Sequence, residues 1–257
     1  MKIAVLGIGH MGTWLVKMLS QKNEVCIYDI DHSRTEKMGN VHVLHEYSEL
    51  RNFEPELLVN SVSLQNTIEA FESSTTFLPD DCIISDVTSV KGKIPEFYKK
   101  NGFRFASVHP MFGPTFANVD RLSEENVIII NESDPEGARF FRNFFNDLDL
   151  NIYEYSFDQH DQMIAYSLTL PFASTMVFAA CMDNTAVPGS TFKKHLEISK
   201  GLLSEDDFLL SEILFNSYSL PQLEKVTSRL DFLKHVIRER DIDEAKKFFD
   251  SLRKNTQ

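Results

Sequence analysis

The chain opens on a short apolar run, Lys2–Leu6, and similar runs return at Glu24–Tyr28, 57–61, 82–85, 104–108 and 127–130, with a weaker one at 41–44. These runs are apolar on consecutive positions, the pattern of strands buried on both faces. Between them lie stretches in which apolar residues recur three and four apart, at 11–20, 64–71, 90–99 and 135–148. This alternation predicts βαβ units and a mostly parallel sheet covered by helices on both sides. The character changes after Leu150-Asn151-Ile152-Tyr153, where strand signals stop. One long helix is expected over 159–182 with Pro171 as a kink, and Pro188-Gly189 breaks the pattern before helices at 191–202, 205–217, 220–240 and 242–253. The expected organisation is an α/β domain over 1–152 followed by an all-helical domain over 153–257.

Composition narrows the field. With 42% hydrophobic and 25% charged residues in 257, there is material for two modest domains. A net charge of −12 argues against nucleic acid as a partner, since such proteins need a basic footprint. A small anionic substrate would need a local cationic pocket. The 3 cysteines form no C-x-x-C pair, and Cys26 and Cys82 fall inside strand runs, which suits a reducing compartment. The N-terminal apolar run is too short for a signal peptide, and no segment approaches the ~20 consecutive apolar residues of a membrane span. A cytoplasmic protein without membrane partners is therefore expected.

The first strand runs into "VLGIGHMG", which places Gly7-x-Gly9-x-x-Gly12 between a strand and a helix. In a Rossmann-type domain the first glycine permits a tight turn, the second lets backbone approach a pyrophosphate, and the third lets helix and strand pack closely. The helix N-terminus then offers unpaired N–H groups to the phosphates. Asp29 ends the second strand 20 residues after Gly9, where an acid that binds the ribose of a dinucleotide belongs. The expected cofactor is NAD, held by Gly7, Gly9, His10, Met11, Gly12, Asp29 and Val62. Arg34 is the contrary signal, because an arginine past this strand can hold the 2′-phosphate of NADP, or else lie solvated on the next short helix.

Two further segments reach the same sheet edge. In "DVTSVK", Thr88 and Ser89 either cap a helix or present a hydroxyl to a ligand. In "SVHPMFGP", His109 ends a strand between prolines and two large apolar residues. A histidine there, with Ser89 opposite, can take the proton of an alcohol as hydride leaves its carbon. The remaining histidines, such as His42 and His45, form no metal-ligand constellation, and no metal is expected.

The glycine fingerprint, "DVTSVK", "HPMFGP" and the later "HDQ" (His160-Asp161-Gln162) together resemble the prephenate and arogenate dehydrogenase family of tyrosine biosynthesis. The similarity spans nearly the whole chain. It implies NAD-dependent oxidative decarboxylation of prephenate, or alternatively of arogenate, in a homodimer. It also implies His109 and Ser89 as catalytic residues at the substrate hydroxyl, and His160 and Thr169 on the substrate side. His160 has the alternative of only beginning its helix. Two departures bear on the substrate. Thr169 stands in "SLTLPF" where bacterial members often carry histidine, and "FNSYSL" lacks an arginine found there in relatives. Arg121, Lys193, Lys194 and Lys200 are candidate replacements. The two predicted domains use up the chain, so neither a fused chorismate mutase nor an ACT domain is expected. The rival readings are another two-domain β-hydroxyacid dehydrogenase and a dinucleotide-binding protein without catalysis. The helices containing "TMVFAACM" and "FLLSEILF" are apolar nearly all round, which fits a dimer surface or, alternatively, the domain's own core.

Overall fold

The computed structural model describes residues 1–39, 41–113, 122–183 and 187–256. Pro114, the last residue of "HPMFGP", and Arg121 lie outside these described residues. The chain divides into two compact units, Met1–Gln162 and Met163–Gln257.

The first unit is built on one sheet in the order β3-β2-β1-β4-β5-β6-β7-β8. Its strands are β1 Lys2–Leu6, β2 Glu24–Tyr28, β3 His42–Val43, β4 Leu57–Asn60, β5 Ile83–Asp86, β6 Phe105–Pro110, β7 Asn126–Ile130 and β8 Asn151–Tyr155. Strands β1 to β6 pair in parallel, β6 and β7 are antiparallel, and β7 and β8 are parallel again. The strand β8 has no counterpart among the predicted strands. Its exposed and half-buried positions make it an edge strand with little buried apolar signature.

Among the described residues, the helices that belong wholly to this unit are α1 His10–Leu19, α2 His32–Thr35, α3 Leu50–Phe53, α4 Thr67–Ser74, α5 Ile94–Asn101 and α6 Pro135–Asn146. They cover both faces of the sheet and close two cores. One core gathers Ile3, Val5, Trp14, Leu15, Phe141 and Phe145. The other gathers Leu6, Leu58, Phe71, Ile84, Phe97 and Tyr98. Cys26 and Cys82 are buried in the strand region, as their apolar context predicted, and burial pushes the Cys82 thiol up to about 12. Helix α5 begins at Ile94, later than the periodicity suggests, with Lys93 as its N-cap and a proline in its first turn. Thr88 and Ser89 therefore do not cap it.

A continuous helical run starts as α7 Phe157–Ile164, passes through a π-turn at Ala165–Thr169 and continues as α8 Leu170–Ala180. The irregularity falls just before Pro171, whose ring would clash with the carbonyl four residues back in a regular α-helix. The second unit continues with α9 Ser190–Leu202, α10 Asp207–Leu214, α11 Ser219–Glu239 and α12 Ile242–Asn255. One expectation needs correcting. The run Phe157–Ala180 is 24 residues long and contains an 18-residue window of mean hydropathy 1.5, enough to cross a membrane by length and composition alone. Interspersed Ser, Thr and Tyr hide it from a count of consecutive apolar residues. The polar turns ahead of that window carry His160, whose ring is hydrogen-bonded to His109.

Candidate active site

Strands β1, β2, β4, β5 and β6 each deliver one part of the site to the same sheet edge, because parallel strands end together. After β1 the chain turns sharply at Gly7, where φ is +84° and an added Cβ would stand 2.6 Å from the backbone nitrogen of Val62. Gly12 is tighter still, since a Cβ there would meet the Gly7 carbonyl oxygen at 1.9 Å. Around Gly9 an added Cβ would find nothing within 4 Å, so this point of the turn is open to an incoming group. Gly9 is the N-cap of α1 and supplies no side-chain hydrogen bond, which leaves the N–H groups of the first turn, including those of His10 and Met11, available to phosphate.

Two side chains lock this turn. The Ser61 hydroxyl lies 2.9 Å from the Leu6 carbonyl oxygen and 2.8 Å from that of Gly7. Asp29, buried at the end of β2, accepts from the backbone N–H of Ile8 at 2.6 Å and of Asp31 at 2.8 Å. Each carboxylate oxygen retains a second acceptor site for a ribose hydroxyl. The Arg34 guanidinium stands 3.8 Å from Asp29 and 3.3 Å from Asp31, so both signals for cofactor choice share one corner. Ser61 had gone unread in the sequence, where a serine after a strand looks like any turn residue.

At the ends of β5 and β6 lies a buried charged network, in which the side chains of Asp86 and Lys91 have no exposed surface. Lys91 donates to Asp86 at 2.7 Å and to the Val108 carbonyl at 2.8 Å. The Thr88 hydroxyl donates to Asp86 at 2.7 Å, and the Tyr98 hydroxyl donates to its other oxygen at 2.8 Å. Burial acts to raise the Asp86 carboxyl, but the Lys91 ammonium and these hydrogen bonds hold it below the ordinary carboxylate range. Burial lowers Lys91 against the pull of Asp86. Asp86, Lys91 and Tyr98 were not identified from sequence as site residues. The available signal was a lysine and an aspartate together in "DVTSVK", at a strand end where neither has a local partner of regular structure.

His109 sits next to that network, in register with Ile128 of β7. Its Nδ1 is 3.0 Å from Nε2 of His160 on α7, and Nδ1 of His160 is 3.1 Å from Asp161. Burial, with the charges of His160 and Lys91 adding to it, pushes the pKa of His109 well below its ordinary value. Burial likewise lowers His160, with Asp161 opposing. The near-neutral titration expected of His109 is thus corrected: burial favours its neutral form and moves its pKa below the ordinary histidine value. Ser89 is half-buried on the loop between Asp86 and Lys91. Among the described residues the partner recorded for the His109 ring is His160, not Ser89. Phe112 explains the apolar residues after the histidine, since it is buried edge-on against Trp14 of α1, with ring centroids 5.2 Å apart.

In the second unit Thr169 is buried in the π-turn, and its hydroxyl lies 2.6 Å from that of Ser219 at the start of α11. Lys193 and Lys194 are exposed on α9, and Lys200 pairs with Glu197 at 2.9 Å. Among the described residues no cluster of three or more histidine, cysteine or acidic side chains could hold a metal ion.

Residues 15–149 match the family described as "Prephenate dehydrogenase, nucleotide-binding domain". The T-protein of Enterobacter agglomerans is 24% identical over 151 residues, covering 55% of this chain and 40% of that protein, so the chain spans well under half of that relative's length. Among solved structures, prephenate dehydrogenase from A. aeolicus in complex with hydroxyphenyl propionate and NAD+ superposes with a TM-score of 0.85 at 18% identity, covering 99% of this chain and 96% of that one. Synechocystis arogenate dehydrogenase superposes with a TM-score of 0.75 at 19% identity, covering 100% and 99%. At these identities the structural likeness is one of fold.

Two outcomes follow from the buried groups. Lys91→Met leaves the Asp86 carboxylate buried without its cation and should cost roughly 3–5 kcal/mol of stability, with Asp86→Asn in the same chain recovering most of it; urea denaturation of the single and double variants measures both. The second concerns acid. His109 and His160 have folded pKa values below those of the unfolded chain, so below an unfolded value of about 6.5 the unfolded state binds more protons and stability falls with pH. Melting temperatures recorded from about pH 7 down to about pH 5 should fall, and replacing both histidines with glutamine should flatten that decline.

Proposed function

This chain belongs to the prephenate dehydrogenase family, and from that premise we propose that it oxidises and decarboxylates prephenate with NAD as the hydride acceptor. The observation that carries the reading is His109, a buried ring kept neutral at the same sheet edge as the glycine turn. The residues around Gly9 suit a dinucleotide: an open approach, an uncapped helix start and a buried acid at Asp29. In this reading Gly7, Gly9, His10, Met11, Gly12 and Val62 form the wall against the pyrophosphate, and Asp29 receives the ribose hydroxyls. The bound cofactor supplies an acceptor for hydride. His109 takes the proton from the hydroxyl of the carbon being oxidised, and loss of carbon dioxide aromatises the ring. Ser89 orients the same hydroxyl from the β5 loop. Thr169 acts from inside the helical unit by holding the π-turn against α11.

Arogenate is the second reading. The family's substrates include both compounds, and "FNSYSL", without an arginine, leaves the partner of the substrate carboxylate open. Lys193 and Lys194 are the remaining candidates for holding a substrate carboxylate. Supplying purified protein with NAD+ and either compound, and following NADH absorbance, tests the proposal; oxidation of neither would overturn it.

The role of His109 carries its own expectation. His109→Asn should bind NAD+ as the wild type does and lower turnover roughly 10²–10⁴-fold, the contribution of a positioned general base. Ser89→Ala should cost less, since it removes an orienting bond and leaves the proton acceptor. For the cofactor, titration should show tighter binding of NAD than NADP, with Asp29→Ser narrowing the gap by removing a charge that repels the 2′-phosphate. A wild-type preference for NADP would mean that Arg34 governs the corner.

The helical unit is proposed to form a homodimer, in a cytoplasmic enzyme. Large apolar side chains such as Val177, Phe215, Leu220, Ile237 and Ile242 stay exposed along its helices, more than a monomeric surface usually carries. Sedimentation at micromolar concentration should give twice the 29.5 kDa chain mass, and a monomer would sink this assignment.

A further inference from the structure

We propose that His160 is a positioning residue that sets the tautomer of His109 and passes its displaced proton toward Asp161, a role that rests on the dehydrogenase reading above. The geometry constrains the protons. An ionised carboxylate accepts hydrogen bonds and cannot donate them. Asp161 lies 3.1 Å from Nδ1 of His160, so the single proton of a neutral His160 sits on Nδ1. Nε2 of His160 then carries a lone pair and faces Nδ1 of His109 at 3.0 Å. The proton shared between the rings must come from His109, whose Nδ1 is therefore the N–H nitrogen. Its Nε2 is left bare, and that nitrogen alone can accept a proton from substrate.

The opposite polarity would need a doubly protonated His160. The groups around that ring are Asp161 on its own helix, His109 on β6, and Lys91 and Asp86 at the end of β5. The His160 side chain is fully buried, and the ammonium of Lys91 opposes a second positive charge beside it. Asp161 favours the charged form, but burial outweighs it.

The same contacts give the proton a way out. The substrate O–H bond breaks and an N–H bond forms at Nε2 of His109. The Nδ1–H bond of His109 breaks and one forms at Nε2 of His160. The Nδ1 proton of His160 goes to the carboxylate of Asp161, whose side chain is 28% exposed and can release it to water. One proton leaves and both rings end neutral with their protons on the opposite nitrogens, while the two electrons of the C–H bond leave separately as hydride to NAD+. The resting arrangement returns when His109 gives its Nε2 proton to solvent after product leaves and a proton re-enters through Asp161 to Nδ1 of His160. An imidazolium trapped at His109, close to Lys91 in a dry site, would otherwise oppose the reaction.

The test begins without turnover. In protein with ¹⁵N-labelled histidine, the nitrogen shifts of His109 at neutral pH should report the Nδ1–H tautomer, the form that free imidazole side chains populate less. In His160→Phe, which keeps an apolar ring but offers no acceptor, the His109 signal should move to the Nε2–H form or a mixture. Turnover should fall roughly 10²-fold, by analogy with other orienting groups, with NAD+ affinity and KM little changed. His160→Gln can place an amide oxygen where Nε2 stood, so it should restore the Nδ1–H tautomer and part of the turnover while being unable to relay the proton. A wild-type His109 in the Nε2–H form overturns the proposal, and so does a folded His160→Phe with unchanged turnover. If His160→Phe does not fold, the wild-type tautomer and the His160→Gln comparison decide. Absence of any dehydrogenase activity in the wild type would instead overturn the functional reading, while the tautomer assignment is judged on its own spectrum.

Discussion

A lysine ammonium without water must find its ligands in the protein, and at Lys91 those ligands decide how the sheet edge is built. Its charge is met by Asp86 from the end of β5 and by the carbonyl of Val108 from β6. The loop of residues 87–93 is thereby drawn inward, and the residue just before His109 is anchored by its own backbone. Removing two such charges from water costs several kcal/mol per ion before their attraction is counted. That cost is offset only when all the partners are in place, including Thr88 and Tyr98 on the remaining carboxylate positions. The network tolerates little displacement, so the backbone that carries His109 is held to one position.

The charge of that lysine also sets the chemistry beside it. Two imidazoles 3.0 Å apart in a dry site cannot both be protonated, and the neighbouring ammonium disfavours even the first added proton. The pair is consequently held neutral. The formal charge of −12 has little influence here, because the nearest groups are buried and act at short range. On the cofactor side the constraint is steric. Gly7 and Gly12 have no room for a Cβ, whereas Gly9 has open space around it, so the same three-glycine pattern produces two tight contacts and one approach.

The helical unit follows a different logic. Its helices bury small polar contacts, such as the Thr169 and Ser219 hydroxyls, where the π-turn meets α11. Much of its large apolar surface remains outside. Helices that leave large apolar side chains exposed are the ground on which this unit is proposed to pair with a second copy.

Sequence alone determined the features that depend on local pattern. Consecutive apolar runs located seven of the eight strands, helical periodicity placed the second half, and Gly7, Gly9, Gly12 and Asp29 were legible because their spacing follows from one strand–turn–helix unit. "HPMFGP" and "HDQ" marked His109 and His160 as residues to watch. The contact between them, across 51 positions of chain, was not legible, since it exists only once α7 lies against β6. The strand β8 escaped because an exposed edge strand lacks the apolar run that betrays a buried one. Tertiary structure also buried Lys91 against Asp86 and decided between the two readings of Thr88 by turning its hydroxyl to Asp86. It moved His109 from an ordinary near-neutral histidine to a ring kept uncharged. Each of these is a question of which charges and how much water surround a side chain, and residues far apart in the chain supply the answer.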